Sequence, residues 1–184
     1  MKMRRLFQIL TFVAAASLVV SCGEKKRSDI IITNKPEPPK PQKPISMQRD
    51  SVGKDIVWMG KNYQLQLKRV PDDSLQMVKD ENGQKFIDNR VTLRILRADG
   101  SVFLSRSFTK AAFERFLDDD YRRTGILEGF VYDRVDGSQI LFAASVCHPQ
   151  TDEYIPLVVT VNNFGEVNIR LDNEMDTNGG NDEQ

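Results

Sequence analysis

Two Asp-Gly turns, Asp99-Gly100 and Asp136-Gly137, constrain the fold most strongly, because each lies between strand-like segments. Asp-Gly favours the two-residue type I′ hairpin turn, in which both central residues need positive φ. The chain is therefore expected to fold around antiparallel hairpins. These turns predict the following facing pairs: Val91 with Phe108, Arg94 with Ser105 and Ile95 with Leu104 in the first hairpin, and Phe130 with Ala143 and Tyr132 with Leu141 in the second.

Further strands follow from alternating or continuous apolar runs that are bounded by turn residues. The run at residues 139–147 is the most continuously apolar, so it is expected to lie centrally in a sheet. The turn Gly60-Lys61-Asn62 predicts a first hairpin, and Asn162-Asn163-Phe164-Gly165 predicts the last one. The other predicted strands are residues 56–59, 63–68, 75–78, 85–87, 155–161 and 167–171.

One helix is expected between the two Asp-Gly hairpins. Thr109 can cap its start and Gly125 is placed to end it. Its apolar side chains recur at helical spacing, so they should pack on a sheet face. These are Phe113, Phe116, Leu117 and Tyr121. The predicted fold class is α+β, mainly an antiparallel β-meander with one helix packed on a sheet face, and a lipocalin-like β-barrel is the alternative.

The N-terminal segment resembles a bacterial lipoprotein signal. Three basic residues lie within its first five positions, residues 6–20 carry no charge, and Val19-Val20-Ser21-Cys22 follows. A spanning helix needs about 20 apolar residues, whereas a basic start and a small residue before the cleavage point are typical of export signals. We expect lipidation at Cys22, with an ordinary secretory peptide or an uncleaved anchor as alternatives. A lipidated Cys22 forms no disulfide, which leaves Cys147 as a buried apolar residue or a reactive thiol.

The composition divides the chain into four parts. Residues 1–21 form the predicted signal peptide, and residues 22–55 form the lipidated cysteine and a proline-rich tether. Five of the eight prolines fall within residues 36–44, which predicts a semi-rigid polyproline II spacer. Residues 56–172 are expected to form a single β-rich domain, and residues 173–184 a disordered tail.

The charge balance argues against nucleic acid as a partner. The chain has 26 basic and 26 acidic residues, and removal of residues 1–21 would delete three basic side chains and no acidic ones. The mature chain would then carry a net charge near −3. Nucleic-acid binding depends on clustered Lys and Arg against phosphates, so this class is disfavoured.

No familiar catalytic, cofactor-binding or metal-binding motif is present. The sequence lacks a Gly-rich phosphate loop, G-x-S-x-G, H-E-x-x-H and C-x-x-C. The aspartates at 118–120 lack the spacing of an EF-hand loop. Cys147 and His148 are neighbours, and adjacent strand residues point to opposite faces, so a thiolate–imidazole pair is not expected. No catalytic, cofactor or metal residue is therefore predicted.

Three classes of function stay open. The first is a non-catalytic binding or accessory module, with an envelope protein or a small envelope ligand as its partner. The second is an envelope hydrolase that uses carboxylates such as Glu128, Asp133 or Asp152, which would have to converge about 5 to 9 Å apart in a cleft. The third is a structural subunit of an envelope complex.

Several strings of the sequence resemble a known family. They are Pro71-Asp72-Asp73-Ser74-Leu75, Ala98-Asp99-Gly100-Ser101-Val102-Phe103, Leu117-Asp118-Asp119-Asp120-Tyr121-Arg122 and His148-Pro149-Gln150-Thr151-Asp152-Glu153-Tyr154-Ile155-Pro156-Leu157. With the Val-Val-Ser-Cys start, they resemble a small Bacteroidetes lipoprotein family that is catalogued as domain of unknown function 4738.

The resemblance implies an outer-membrane or periplasmic lipoprotein and brings no activity. Surface-exported lipoproteins of that phylum often carry a short acidic run after the lipidated cysteine. Gly23-Glu24-Lys25-Lys26-Arg27 departs from that pattern. The expected location is therefore the outer membrane, with the domain facing the periplasm, and surface exposure is the alternative.

Overall fold

The computed structural model of the chain describes residues 43–173. Cys22, the predicted signal peptide, most of the predicted tether and most of the predicted tail lie outside the described residues. The described part contains ten strands, a 3₁₀ helix and one short α-helix, α1. The strands are β1 (Asp50–Trp58), β2 (Lys61–Pro71), β3 (Val78–Lys79), β4 (Lys85–Phe86), β5 (Asn89–Arg97), β6 (Val102–Phe108), β7 (Ile126–Asp136), β8 (Gln139–Cys147), β9 (Tyr154–Asn162) and β10 (Val167–Leu171); the 3₁₀ helix is Lys110–Phe116 and α1 is Asp119–Thr124.

The strands form two four-stranded antiparallel sheets and a small ribbon. The first sheet has the order β1-β2-β5-β6, the second sheet has the order β10-β9-β8-β7, and β3 pairs with β4 alone. The prediction of mainly antiparallel β structure is confirmed, and β8 lies inside its sheet as its apolar sequence predicts. The described strands do not close into a barrel, so the lipocalin-like alternative is wrong.

One hydrophobic core joins the two sheets. Alternate residues of each strand point to this core, because side chains in a strand alternate between faces. The rings of Phe108 on β6 and Phe130 on β7 meet with their centroids 5.0 Å apart, which links an edge of one sheet to an edge of the other. Among the core residues are Trp58, Leu65, Leu93 and Ile95 from the first sheet and Leu127, Ile140, Phe142, Val146, Leu157 and Val159 from the second.

The first Asp-Gly hairpin has the predicted register and a different turn. Val91 faces Phe108 and Ile95 faces Leu104. Only Gly100 has positive φ, at 81°, so the loop is a three-residue turn that ends in a left-handed glycine rather than a type I′ turn. A β-bulge between Ile95 and Leu96 offsets the longer loop. The longer loop and the bulge shift the register in opposite directions, so the predicted pairs are formed.

The second Asp-Gly hairpin is shifted from the predicted register. Tyr132 faces Phe142 rather than Leu141, and Phe130 faces Ala144 rather than Ala143. The loop consists of residues 137 and 138, since Asp136 itself pairs with Gln139, and a bulge lies near residue 133. The predicted pairs are therefore wrong, because the bulge does not fully offset the shift of the loop.

The single predicted helix is replaced by two short segments. Leu117 has extended backbone angles (φ −96°, ψ 139°), which separates the 3₁₀ helix from α1. The carboxylate of Asp118 accepts hydrogen bonds from the amides of Asp120 and Tyr121, at 3.0 and 2.9 Å, and caps α1. Asp119 and Asp120 then lie in the first turn, where the helix dipole favours negative charge. Neither segment has the length and apolar character needed to cross a membrane.

The stripe of helical apolar residues still packs on the core despite this break. Phe113 and Leu117 are buried, and Phe116 and Tyr121 are partly buried against the same cluster. Gly125 ends α1 as predicted, and its amide donates to the carbonyl of Tyr121.

Residues before the predicted domain also belong to the folded part. The first strand begins at Asp50, within the range that the sequence assigns to the tether. Ile45 pairs with β4 and its neighbour: its amide donates to the carbonyl of Lys85, and its own carbonyl accepts from the amide of Ile87, both at 2.9 Å. The chain is therefore bound to the β3–β4 ribbon before it enters the first sheet.

Candidate functional site

A cleft of the described domain lies between the β2–β3 connection and the helical segments. Its volume is about 670 Å³. Apolar side chains form part of its wall, and polar and charged side chains from the β2–β5 region and the helical segments form the rest. Its lining residues are Leu75, Gln76, Met77, Val78, Lys79, Asp88, Thr109, Lys110, Ala111, Glu114, Leu117, Arg122, Arg123 and Thr124. We call it the Asp88–Lys110 cleft.

Asp88 is the most deeply buried charged group of this cleft, with 4% of its surface exposed. Its Oδ1 accepts hydrogen bonds from the amides of Leu127, at 2.8 Å, and of Asn89, at 2.7 Å. Burial raises the pKa of the carboxyl, and the two amides and the nearby Lys110 partly oppose that rise. Asp88 thus ties the start of β5 to the start of β7 while it lines the cleft.

Asn89 completes this connection. It is fully buried, and its Nδ2 donates to the carbonyl of Leu127 at 3.0 Å. Asp88 and Asn89 together therefore satisfy both the amide and the carbonyl of Leu127. Side chains here replace the backbone ladder that would otherwise pair the two chain segments.

Lys110 lines the same cleft and is close enough to Asp88 for their charges to interact. Its Nζ donates to the carbonyls of Gly125 at 2.6 Å and Arg122 at 2.8 Å, near the C-terminal end of α1. Cations near helix C-termini are favourable, since the last carbonyls lack helical partners. Burial lowers the pKa of Lys110, and the charges of Asp88 and Glu114 oppose that fall. Lys110 therefore holds the two helical segments together at the cleft.

The outer part of the cleft carries further cations. Arg122 donates to the carboxylate of Asp119 at 2.9 Å and to the carbonyl of Glu114 at 3.2 Å. Lys79 and Arg123 are exposed and form no ion pair within the described residues. The rim is therefore cationic, and part of its charge is available to a ligand.

A second, smaller cavity lies around His148. Its volume is about 480 Å³, and four carboxylate residues line it with the histidine: Asp80, Glu81, Asp120 and Glu153. Nδ1 of His148 lies 3.0 Å from Glu153 Oε2, and Nε2 lies 3.3 Å from Asp120 Oδ2. The imidazole stacks on Tyr121, with the centroids 4.0 Å apart. Through these contacts His148, the only histidine of the chain, connects α1 to the β8–β9 loop.

Cys147 and His148 make separate contacts. Sγ of Cys147 donates to Oγ of Ser145 at 3.4 Å, whereas His148 contacts α1 and Glu153. Burial raises the pKa of the Cys147 thiol, which disfavours the thiolate that nucleophilic catalysis would need. This geometry agrees with the buried alternative for Cys147.

Native Cys147 should therefore resist alkylation. We expect iodoacetamide at about pH 8 to modify Cys147 at least about 100-fold more slowly in the folded protein than in denaturant, because the thiol is both buried and protonated. Peptide mass spectrometry of the Cys147 peptide measures both rates. Equal rates would mean that the thiol is accessible and reactive in the folded chain.

The carboxylates that the hydrolase hypothesis named do not share a described cavity. Glu128 lines a small cavity of about 220 Å³ whose lining residues include neither Asp133 nor Asp152. Asp133 forms an exposed ion pair with Arg134 on β7, and Asp152 lies in the exposed β8–β9 loop. Within residues 43–173, no group of three His, Cys, Asp or Glu side chains is placed to hold a metal ion.

The sequence does not predict the cleft. Asp88 follows a short strand, where an aspartate is typical of an exposed turn, and Lys110 is one of many lysines. The only available signal is the consecutive Asp88-Asn89 pair between two apolar strands, which is compatible with a buried polar link.

The fold and the cleft define a domain of two antiparallel β-sheets with a charged, partly apolar cleft beside its helical segments. Residues 30–169 match the family described as a domain of unknown function, DUF4738. The chain belongs to this family, and the match confirms the resemblance to this domain. Comparison with curated proteins gives no match.

Proposed function

We propose that the protein is a lipid-anchored cell-envelope protein whose domain acts as a non-catalytic binding module, with the Asp88–Lys110 cleft as the binding site. The observation that carries this proposal is the cleft itself. It combines apolar side chains with a few converging charged groups and has a volume in the range typical of small-molecule sites.

The contacts of the buried Asp88 and the partly buried Lys110 favour binding over catalysis. Asp88 receives two backbone amides, and Lys110 donates to two backbone carbonyls. Both groups are therefore held by the main chain, which fixes the shape of the cleft. A preorganised wall of this kind lowers the cost of ordering side chains when a ligand binds.

The sequence supports the envelope location. The segment that ends at Cys22 has the basic start, uncharged stretch and small residues of a lipoprotein signal. Several acyl chains would give a stable membrane hold, since one chain alone binds only marginally. The proposed location is the periplasmic face of the outer membrane of a Bacteroidetes bacterium, and the proposed partner is a small envelope ligand.

Hydrogen–deuterium exchange tests the location of the binding site. Full-length protein in phosphocholine nanodiscs is compared with and without the low-mass fraction of an envelope extract from the bacterium that makes it. Binding should slow exchange in residues 75–79 and 109–124 and leave β9 and β10 unchanged. Slowing confined to the His148 cavity, or no slowing at all, would contradict the proposal.

A hydrolase is the second candidate, because one observation favours it. The pKa of Asp88 is raised by burial, as in many general acids, and Glu114 lines the same cleft. Asp88→Asn separates the two functions. The ligand that co-purifies with each protein is released and weighed by mass spectrometry. If the protein is a hydrolase, the ligand from the variant should be larger than the ligand from the wild type, because it is uncleaved. If the protein is a binding module, the two ligands should have the same mass.

A further inference from the structure

The cavities on the two sides of α1 carry opposite charge. The Asp88–Lys110 cleft is lined by four cationic residues and two acidic ones, whereas the His148 cavity is lined by four acidic residues and one histidine. Thr124 lines both. An anion would therefore be attracted to the first cavity and repelled by the second, which is a basis for discrimination between the two sites.

The cations at the rim of the cleft differ in how much charge they can offer a ligand. Lys110 is used by two carbonyls and by nearby Asp88, and Arg122 is paired with Asp119. Lys79 and Arg123 have no such partner among the described residues. Arg123 lies in the last turn of α1. The positive charge that faces a ligand is therefore concentrated on Lys79 and Arg123.

An apolar wall lies beside these cations. Val78 and Leu117 are buried at the cleft, while Leu75 is partly exposed and Met77 is 39% exposed. Methionine is flexible and polarizable, so it adapts to apolar ligand surfaces of different shape. A ligand that uses both features needs an anionic end and an apolar portion.

We infer that the Asp88–Lys110 cleft binds a small anionic amphiphile, with its anionic head at Lys79 and Arg123 and its apolar chain along Leu75 and Met77. This inference rests on the proposed binding function and names the chemical class of the ligand. The head is a phosphate or a carboxylate, and the chain is an alkyl or acyl group.

Photolabelling with matched probes tests the ligand class. Three probes share one diazirine-bearing dodecyl chain and differ in the headgroup, which is phosphate, maltoside or trimethylammonium. Each is added to the full-length protein in phosphocholine nanodiscs, and labelled residues are mapped by mass spectrometry. The phosphate probe should label residues 75–79 most strongly, and the trimethylammonium probe least.

Charge reversal supplies the control. Arg123→Glu should lower labelling of residues 75–79 by the phosphate probe about tenfold, since an attraction becomes a repulsion at the headgroup. Arg106→Glu makes the same charge change on exposed β6, outside the cleft, and should alter labelling less than about twofold. Circular dichroism melting of both variants verifies that they are folded.

The outcomes separate the ligand class from the binding function. Equal labelling of residues 75–79 by all three probes would overturn the anionic requirement and leave a binding cleft. If inorganic phosphate at the same concentration as the phosphate probe prevents all labelling of residues 75–79, the apolar chain is not needed for binding and the apolar requirement is overturned. If no probe labels the cleft, the inference fails, and the hydrogen-exchange experiment then decides separately whether the cleft binds any ligand.

Discussion

Asp88→Ala is expected to lower the free energy of unfolding by about 3 kcal/mol, which corresponds to a fall in Tm of about 8 to 10 °C. The substitution leaves the amides of Leu127 and Asn89 without their acceptor and removes the charge that faces Lys110. Buried donors without partners are costly, so the loss should exceed that of an ordinary surface change. Chemical denaturation measures it.

Asp55→Ala is the matched control. Asp55 is an exposed aspartate on β1, and its replacement should change stability by less than about 0.5 kcal/mol. A similar small effect for Asp88→Ala would contradict the structural role assigned to the Asp88–Leu127 connection.

Asp88→Asn tests whether Asp88 makes the folded protein less stable as the pH rises. Burial raises the pKa of Asp88, so the folded protein favours the protonated carboxyl group. The stability that this preference contributes is complete below the unfolded-state pKa and is lost as the pH rises through the folded-state pKa. Asn stays neutral, so the variant avoids that loss. Its stability relative to the wild type should therefore increase between about pH 4 and pH 7. A relative stability that decreases over this range would mean that the folded protein favours the carboxylate.

Cys22→Ser is expected to abolish lipid attachment completely. Cells grown with an alkyne-bearing fatty acid should incorporate label into the wild-type protein and none into this variant, because the thiol that would carry the diacylglyceryl group is absent. Cys147→Ser is a matched control, since the chain has two cysteines and Cys147 is buried in the domain. In-gel fluorescence after coupling to a dye measures the incorporation.

The two variants give a clear contrast between the cysteines. Label that persists in Cys22→Ser, or that disappears in Cys147→Ser, would refute the predicted lipid anchor. The amount of protein in the membrane fraction is a second readout. It should fall in Cys22→Ser, because each buried methylene of an acyl chain contributes about 0.8 kcal/mol to membrane binding.

The hairpins show how far local sequence predicts this fold. Asp-Gly located both hairpins, since turns depend on the few residues that adopt positive φ. In neither hairpin do the Asp and the Gly form the two central residues of a type I′ turn, because only the glycine has positive φ. The register depended on bulges near Leu96 and Asp133, which the local pattern does not reveal. The register was right where the bulge offset the longer loop and wrong where it did not.

The helical region shows the limit of periodicity. The apolar spacing correctly selected residues that pack on the core, because burial sets that pattern. It did not reveal the break at Leu117, which depends on Asp118 acting as an N-cap. The cleft was less predictable still, since Asp88 and Lys110 are 22 positions apart and their proximity arises from tertiary packing.

Photocrosslinking in the native envelope tests the central claim, that the Asp88–Lys110 cleft holds a ligand. A photoreactive benzoylphenylalanine replaces Met77 at the cleft or, as the control, Val131, which is 58% exposed on the second sheet. After irradiation of living cells, we expect an adduct of one discrete mass from position 77 that is absent from position 131. No adduct at position 77, or the same adduct at both positions, would contradict it.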